Sequence, residues 1–405
     1  MANVLVTTSL IAKQALPVLK NMLGFAKNVN HDFEDEFSGS MDRGYAPGAT
    51  INIKKPSRYT YRSGAVASVQ DTVNTTVPLT LTQGGCDLGF SGLEKTVSVS
   101  KFDDIMQAAI APVANEIDRQ GLALAHFSVF NTLNPTGALP TSQANALAAI
   151  TGLNQRLDEM AAPRDGRRSL IMNPALNASM IQGFAGMFNG QSMISKQNES
   201  GLVQNGFGIS PVLDQNVDVH ANGAATATNI NGAGQTGSAI TVVAIAGGTL
   251  TKGTVITLPG VFAVNPQTRQ STGQLANFVV TADALIGATT INVSPALVTS
   301  GAFQNVTASP TTGSPYVILG SASTNYSTNI AYHKDAFTLA MVPMWAPAGG
   351  KGVISVSQER DPDTGFVVKA TQFYDGVNDK AITRLDVLFG WAATYPELAC
   401  KYYTV

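Results

Sequence analysis

The sequence has 405 residues, 25 basic and 27 acidic, so only 13% are charged, where an ordinary soluble domain carries about a quarter. A hydrophobic content of 44% with a net charge of −2 excludes a disordered chain, and the balance lacks the basic excess of a dedicated nucleic-acid binder. Two cysteines, Cys86 and Cys400, exclude a disulfide framework, and a length of this size sets a prior of about two to three domains.

The first element in chain order is an amphipathic helix from about Ser9 to Gly24. Leu10, Leu16, Leu19 and Leu23 fall on one face opposite Lys13 and Lys20, and Pro17 is expected to kink it. No basic region precedes its apolar stretch, Thr7, Thr8 and Ser9 interrupt that stretch, and no run of about 18 apolar residues occurs anywhere. Neither export nor a membrane span is expected. The segment reads as an arm that packs on another part of the same protein. The acidic run Asp32, Glu34, Asp35, Glu36 beside His31 reads as a solvated face interleaved with Phe33 and Phe37, ahead of a weak cation site or a docking patch for a basic partner.

Residues 45–100 read as strands, with Ile51/Ile53, Tyr59/Tyr61 and Val73, Val77, Leu79, Leu81 at even spacings, then Val97/Val99. RSGAVASVQD, Arg62–Asp71, suits the tip of a long two-stranded excursion. Lys54, Lys55, Arg58 and Arg62 with Tyr59 and Tyr61 interleaved superficially suit nucleic acid. A salt-bridged surface between subunits, with Asp71, accounts for them equally well.

From Lys101 to about Leu133 the period turns helical through Phe102, Ile105, Met106, Ala109, Val113, Ile117, Leu124 and Phe127. Asp103, Asp104, Asp118 and Arg119 are placed mostly on the opposite side. Asp103 and Asp104 suit the positive end of the helix dipole, and Pro112 should bend or restart the helix. Helix-prone stretches follow at 143–161 and 174–188, joined by a basic turn, Arg164 to Arg168, and a short strand, Ser169 to Met172.

Between Ala224 and Pro315 there are three charges in 92 residues, Lys252, Arg269 and Asp283, where average usage gives about 23. Strand-like runs at 240–245, 254–258, 261–264, 277–281 and 290–294 are separated by short turns such as Gly247-Gly248 and Pro259-Gly260. The alternating Val/Ile pattern favours an all-β sandwich or small barrel over a low-complexity linker. After it, Phe337–Met344, Val353–Glu359, Phe366–Tyr374 and Ala381–Trp391 read as four long strands of an antiparallel meander, turned by DPDTG and DGVNDK. The fold class is α+β: one discontinuous body with a β domain inserted.

Motifs that carry chemistry are missing. His31, His126, His220 and His333 lie about a hundred residues apart without ligand spacing, and neither a phosphate-binding loop nor a nucleophile elbow occurs. Gly349–Gly352 lacks the upstream glycine, and Gly89-Phe90-Ser91-Gly92 runs on into Leu93. No catalytic, cofactor or metal residue is expected. An arm, a projecting excursion and an inserted domain without an active site describe a structural protein completed by copies of itself, in which many modest contacts supply avidity.

Three strings are specific: YRSGAVASVQDTV (Tyr61–Val73), NIAYHKDAFTLAMVPM (Asn329–Met344) and QFYDGVNDKAITRLDVLFGWAATYPELA (Gln372–Ala399). With the insert string Leu250–Val280, they resemble the major capsid proteins of tailed bacteriophages with the Hong Kong 97-type fold, in particular the short-tailed Salmonella-phage coat family with its inserted β-barrel domain. The resemblance implies an N-terminal arm (1–42), an extended β loop (43–100), a peripheral domain with a long spine helix (101–164) and the first part of an axial domain (165–223). An inserted β-barrel (224–315) and a return to the axial and peripheral domains (316–405) complete the plan.

The same resemblance implies an icosahedral shell of pentamers and hexamers around double-stranded DNA that is bound without sequence specificity. A scaffolding protein, a portal at one vertex and, where present, a decoration protein would be partners; no membrane would be. Assembly in the host cytoplasm, ending in the virion capsid, is implied as well. Lys54, Lys55, Arg58, Tyr59, Tyr61, Arg62 and Asp71 become candidate subunit contacts. Lys252, Arg269 and Asp283 are what the insert could offer between capsomers. The competing expectation, a β-rich decoration or adhesin-type binding protein, would want aromatic platforms in the insert, which holds only Phe262, Phe278 and Phe303.

Overall fold

The structure is a computed structural model and describes residues 23–32, 50–65, 69–91, 102–184, 201–203, 206–345, 353–361, 365–378 and 380–405. Most of the expected arm helix, Glu34–Glu36 of the acidic run, Val97, Val99, residues 185–188 and Gly349–Gly352 lie outside them. The first elements in chain order are β1 (Thr50–Lys55), β2 (Thr75–Thr80), β3 (Thr82–Ser91), α1 (Phe102–Ser128), β4 (Thr132–Leu133), α2 (Gln143–Glu159), β5 (Arg168–Met172) and α3 (Pro174–Phe184). Next come β6 (Ser210–Leu213), β7 (Val219–Ala221), β8 (Gly237–Thr241), β9 (Val255–Val264), β10 (Ser271–Val280), β11 (Thr290–Leu297) and β12 (Val317–Ile318). The chain ends with β13 (Asn325–His333), β14 (Thr338–Met341), β15 (Val353–Arg360), β16 (Val367–Asp375), β17 (Lys380–Ala392) and β18 (Ala399–Thr404). The fold is mixed α+β. Contacts divide it into one unit of Met1–Ile53, Thr76–Gly121 and Thr338–Ala392, and a second of Lys54–Thr75, Leu122–Phe337 and Ala393–Val405.

The first unit is organised by β17, whose alternate residues are buried. β16 pairs along one side of it and β15 extends the sheet beyond β16. On its other side β3 pairs with Lys380–Phe389 and β14 with Phe389–Ala392. The expected four-strand meander therefore holds for its last three strands only: the first, β14, pairs with the last. β3, rich in glycine and poor in β-formers, is ordered by that pairing, because Gly85 lets the backbones meet. A Cβ at Gly85 would lie 2.2 Å from the Leu385 carbonyl oxygen. Ile51, Ile53 and Leu79 of β1 and β2 pack with Ala340, Val342 and Ala392.

α1 runs unbroken through Pro112, contrary to the expected restart. The buried positions Ala109/Ile110 before the proline and Val113/Ala114 after it belong to one stripe, which continues through Ile117, Asp118, Gly121, Leu122, Ala125 and His126. Packing of that stripe outweighs the single lost backbone hydrogen bond. The helix stops at Ser128 rather than near Leu133, because Thr132–Leu133 leaves it to pair in parallel with β18.

The second unit has a sheet in the order β4-β18-β13-β5-β6, with β7 also on β13. α2 and α3 cover one face through Leu153, Leu157, Leu176 and Met180, against Leu170, Cys400 and Tyr402. Ser142 caps α2, accepting from the Asn145 N–H at 3.3 Å.

Residues 224–319 of this unit are all-β, in the antiparallel order β12-β9-β10-β11-β8. The run 228–231 then hydrogen-bonds both outer edges. The Asn231 N–H donates to Thr241 O at 3.0 Å and the Val243 N–H to Asn229 O at 2.7 Å; the Ile230 N–H donates to Ser314 O at 2.9 Å and the Tyr316 N–H to Thr228 O at 3.2 Å. The ladder thus closes on itself around Ile240, Ile256, Leu258, Phe278, Ile291 and Tyr316. Pro259-Gly260 does not separate two strands, as expected, but lies within β9. Register runs from Leu275–Phe262 to Asn277–Thr257, so β9 carries the extra residues of a bulge, with Gly260 at φ +80.

Candidate functional site

The expected two-stranded excursion does not form a strand pair. Between β1 and β2 the described residues are cross-linked by side chains. Tyr59 Oη lies 2.9 Å from Thr72 Oγ1, while Gln70 accepts from the Thr60 N–H and donates to Thr60 O, each at 2.8 Å. Tyr59, Tyr61, Arg62 and Asp71 are exposed, as is Lys54. Tyr61 and Val69 stand 95% and 90% free. Lys55 and Arg58 instead hold the root. Arg58 Nη2 meets Glu397 Oε1 at 3.2 Å, and Lys55 Nζ sits 5.2 Å from the Tyr395 ring centre. Burial there pulls the Lys55 ammonium below its ordinary pKa.

Lys252, Arg269 and Asp283 are all engaged within their own unit. Asp283 accepts the Lys252 backbone N–H at 2.6 Å, and Lys252 Nζ lies 4.6 Å from the Phe127 ring centre. Arg269 donates to Gly301 O and, at 3.2 Å, to Tyr59 O. Of the insert's aromatics, Phe278 is core and Phe262 is partly exposed.

Three buried polar junctions escaped sequence reasoning. The first corrects Asp118, expected on the exposed side of α1. It is 1% exposed. Its Oδ2 accepts the N–H groups of Gly24 (2.7 Å) and Phe25 (3.2 Å), and its Oδ1 that of Ala26 (2.8 Å). Beside it Phe25 stacks on Trp391 at 5.2 Å, and Trp391 Nε1 donates to Ile117 O at 3.1 Å. A carboxylate on the helix thus pins residues 24–26.

The second concerns Arg168, expected in a basic turn. It opens β5 and is 2% exposed. It donates to Asn154 Oδ1 (3.0 Å), Asp158 Oδ1 (2.7 Å), Ala162 O (2.7 Å) and Pro163 O (3.0 Å). The guanidinium groups of Arg164 and then Arg168 hold the Asp158 carboxyl below its usual range.

The third joins two histidines ninety-four residues apart. His126 Nδ1 lies 2.6 Å from Asp218 Oδ2, His126 Nε2 2.9 Å from His220 Nδ1, and His220 Nε2 3.1 Å from Thr254 Oγ1. Burial lowers the pKa of both rings, His220 to about 3. The His126 N–H holds Asp218 below the ordinary carboxylate range. Next to them Lys401, 0% exposed, donates from Nζ to His126 O at 3.1 Å, and burial lowers its pKa to about 7. The alternation Cys400/Tyr402 against Lys401/Tyr403 on β18 was the available signal that Lys401 faces inward. Among the described residues no group of three or more His, Cys, Asp and Glu is placed to hold a metal, and no helix is long and apolar enough to cross a membrane.

The described polar groups thus tie elements of the chain to one another. The family model described as P22 coat protein, gene protein 5, matches residues 94–401, and the chain belongs to that family. It is a major capsid protein that assembles with copies of itself into a phage shell, and its place is the virion capsid. Several solved capsid structures align along most of the chain. One is a structure titled Mycobacterium phage Che8, at 12% identity over 93% of this chain and 90% of that one, with a TM-score of 0.48. Another is the mature capsid of bacteriophage PhiM1, at 9% identity over 88% and 82%, TM-score 0.42. A third is the capsid of Myoviridae phage XM1, at 8% identity over 94% and 90%, TM-score 0.41. No curated protein sequence matches the chain.

Proposed function

We propose that the chain is the subunit of an icosahedral Hong Kong 97-type shell, grouped as pentamers and hexamers around double-stranded DNA that it does not read. Assembly takes place in the host cytoplasm with a scaffolding protein, and a portal occupies one vertex. The arm (1–42) and the loop region (43–100) reach neighbouring copies. Residues 101–164, 165–223 and 316–405 form the peripheral and axial body, and 224–315 is the inserted domain that braces it. Tyr61, Arg62 and Asp71 make the subunit contacts, while Lys55 and Arg58 set the direction of the excursion. Lys252, Arg269 and Asp283 serve the insert's own structure first, which weakens them as contacts between capsomers.

The observation that carries this reading is the exposure of Tyr61 and Val69 on a cross-linked excursion. Large apolar side chains this free on a held segment are a contact surface. Tyr61→Ser combined with Val69→Ser is expected to leave the subunit's melting temperature unchanged and to lower shell yield at least tenfold on co-expression with scaffold, counted by electron microscopy. Shells at wild-type yield would remove the excursion from this role.

A further inference from the structure

His126 lies in the last turn of α1, Asp218 precedes β7, His220 lies on β7, and Thr254 immediately precedes β9 of the all-β module. The four residues therefore bridge the body of the second unit and its β module. Asp218 sets the order of donors along the chain. As a carboxylate it accepts from His126 Nδ1–H, which leaves His126 Nε2 as an acceptor for His220 Nδ1–H. His220 Nε2 then accepts from the Thr254 hydroxyl. The chain is complete when both rings are neutral and each carries its proton on Nδ1. With both rings charged, two N–H groups face each other across 2.9 Å, and Thr254 loses its acceptor at His220 Nε2.

Around the rings, Asp218 and the Asn222 side chain favour the charged form, while burial, Lys401 and Lys252 oppose it. Lys401 and Tyr403 face them from β18, and Lys252 of the module stacks on Phe127, which itself stacks on His126. Asn222 follows on the β7 side, and Tyr326 of β13 stacks on Tyr403. Asp218 is the carboxylate in contact. Module backbone is built against the ring: a Cβ at Gly253 would lie 2.9 Å from His126 Nε2.

We propose that the Asp218–His126–His220–Thr254 chain is an acid-sensitive latch, which holds the β module on the body of its unit at neutral pH and releases it when the histidines are protonated. The sign follows from linkage. Folded-state values depressed below the ordinary value near 6.5 mean that the open form binds more protons, so the latch is strongest above about pH 6.5 and weakens as pH falls. Between pH 7.5 and 5.5 the opening equilibrium should rise about tenfold per histidine.

Hydrogen exchange of the full-length protein, corrected for intrinsic rates, reads this directly. Peptides covering 216–223 and 249–258 should lose protection about tenfold or more over that interval, while 367–375 stays unchanged. No change, or an equal change in 367–375, overturns the latch. His220→Gln should remove about one histidine's share of the response, and an unaltered response would count against the proposal. Imidazole 15N shifts of the wild-type protein test it without any variant. At pH 7.5 both rings should carry their proton on Nδ1, and a proton on either Nε2 overturns the chain.

Discussion

Asp118 and Lys401 sit at positions where sequence rules read charge as exposure. Asp118 follows Ala114 and precedes Leu122 by four residues each, so the helical spacing already placed it on the buried stripe. Only its charge argued otherwise, and its partners, three backbone N–H groups far away in the chain, leave no trace in composition. Asp118→Ala would orphan those donors and should lower stability by about 3 kcal/mol in urea denaturation at pH 7, since hydrogen bonds to a charged acceptor are worth about 1.5–3 kcal/mol each before compensation. Lys401 is an ammonium without a carboxylate partner among the described residues. Its depressed pKa of about 7, from an ordinary 10.5, means that the unfolded chain binds the extra proton between those values. Wild-type stability should therefore rise relative to Lys401→Met from pH 7 toward pH 10, by up to about 1.4 kcal/mol per unit, and urea melts of the two proteins across that range would show it. Cys400 shares the strand and is fully buried, with its thiol pushed to about 12. A thiol reagent should label the half-buried Cys86 in the native subunit and leave Cys400 untouched until denaturant is added.

β17 and β3 lie side by side, one legible in the sequence and one not. β17 carries Ile382, Thr383, Val387, Phe389 and Trp391, all strand formers, and its strand character is local. β3, with Gly84, Gly85 and Gly89, has no such pattern; ten paired residues along β17 impose its conformation. The same contrast predicts its mutational behaviour. Gly85→Val would drive a Cβ into the Leu385 carbonyl and should cost several kcal/mol or yield insoluble protein, whereas Gly89→Ala has nothing within 4 Å and should melt within a few degrees of wild type. β9 errs in the opposite direction: Pro259-Gly260 reads as a turn, yet a bulge accommodates it inside one ten-residue strand. Local turn chemistry was read correctly there, and its use was decided by the neighbouring strand.

For the molecule as a whole, composition and strand spacing pointed to a β module, but nothing in them pointed to its attachment. Asn277 Nδ2 donates to Thr132 O at 3.2 Å and Asn265 Nδ2 to Glu159 O at 2.8 Å, while Met160 joins the module's core. These ties are neutral amides and one methionine, which no motif search selects. Replacing 224–315 by a short Gly/Ser bridge should therefore destabilise the second unit itself. Insoluble protein, or loss of its cooperative thermal transition, is expected by calorimetry; a subunit melting like wild type would show the module to be dispensable. The closed ladder of that module bears on how a crowd of identical chains avoids sticking wrongly. Every unpaired strand edge offers a row of backbone donors and acceptors to any other edge, whatever its sequence. By joining its two outer edges through residues 228–231, the module withdraws the backbone groups of Thr241, Val243, Ser314 and Tyr316 from that trade. Side chains alone are then left to choose which copy it meets, and side chains, unlike backbone, can tell one face from another.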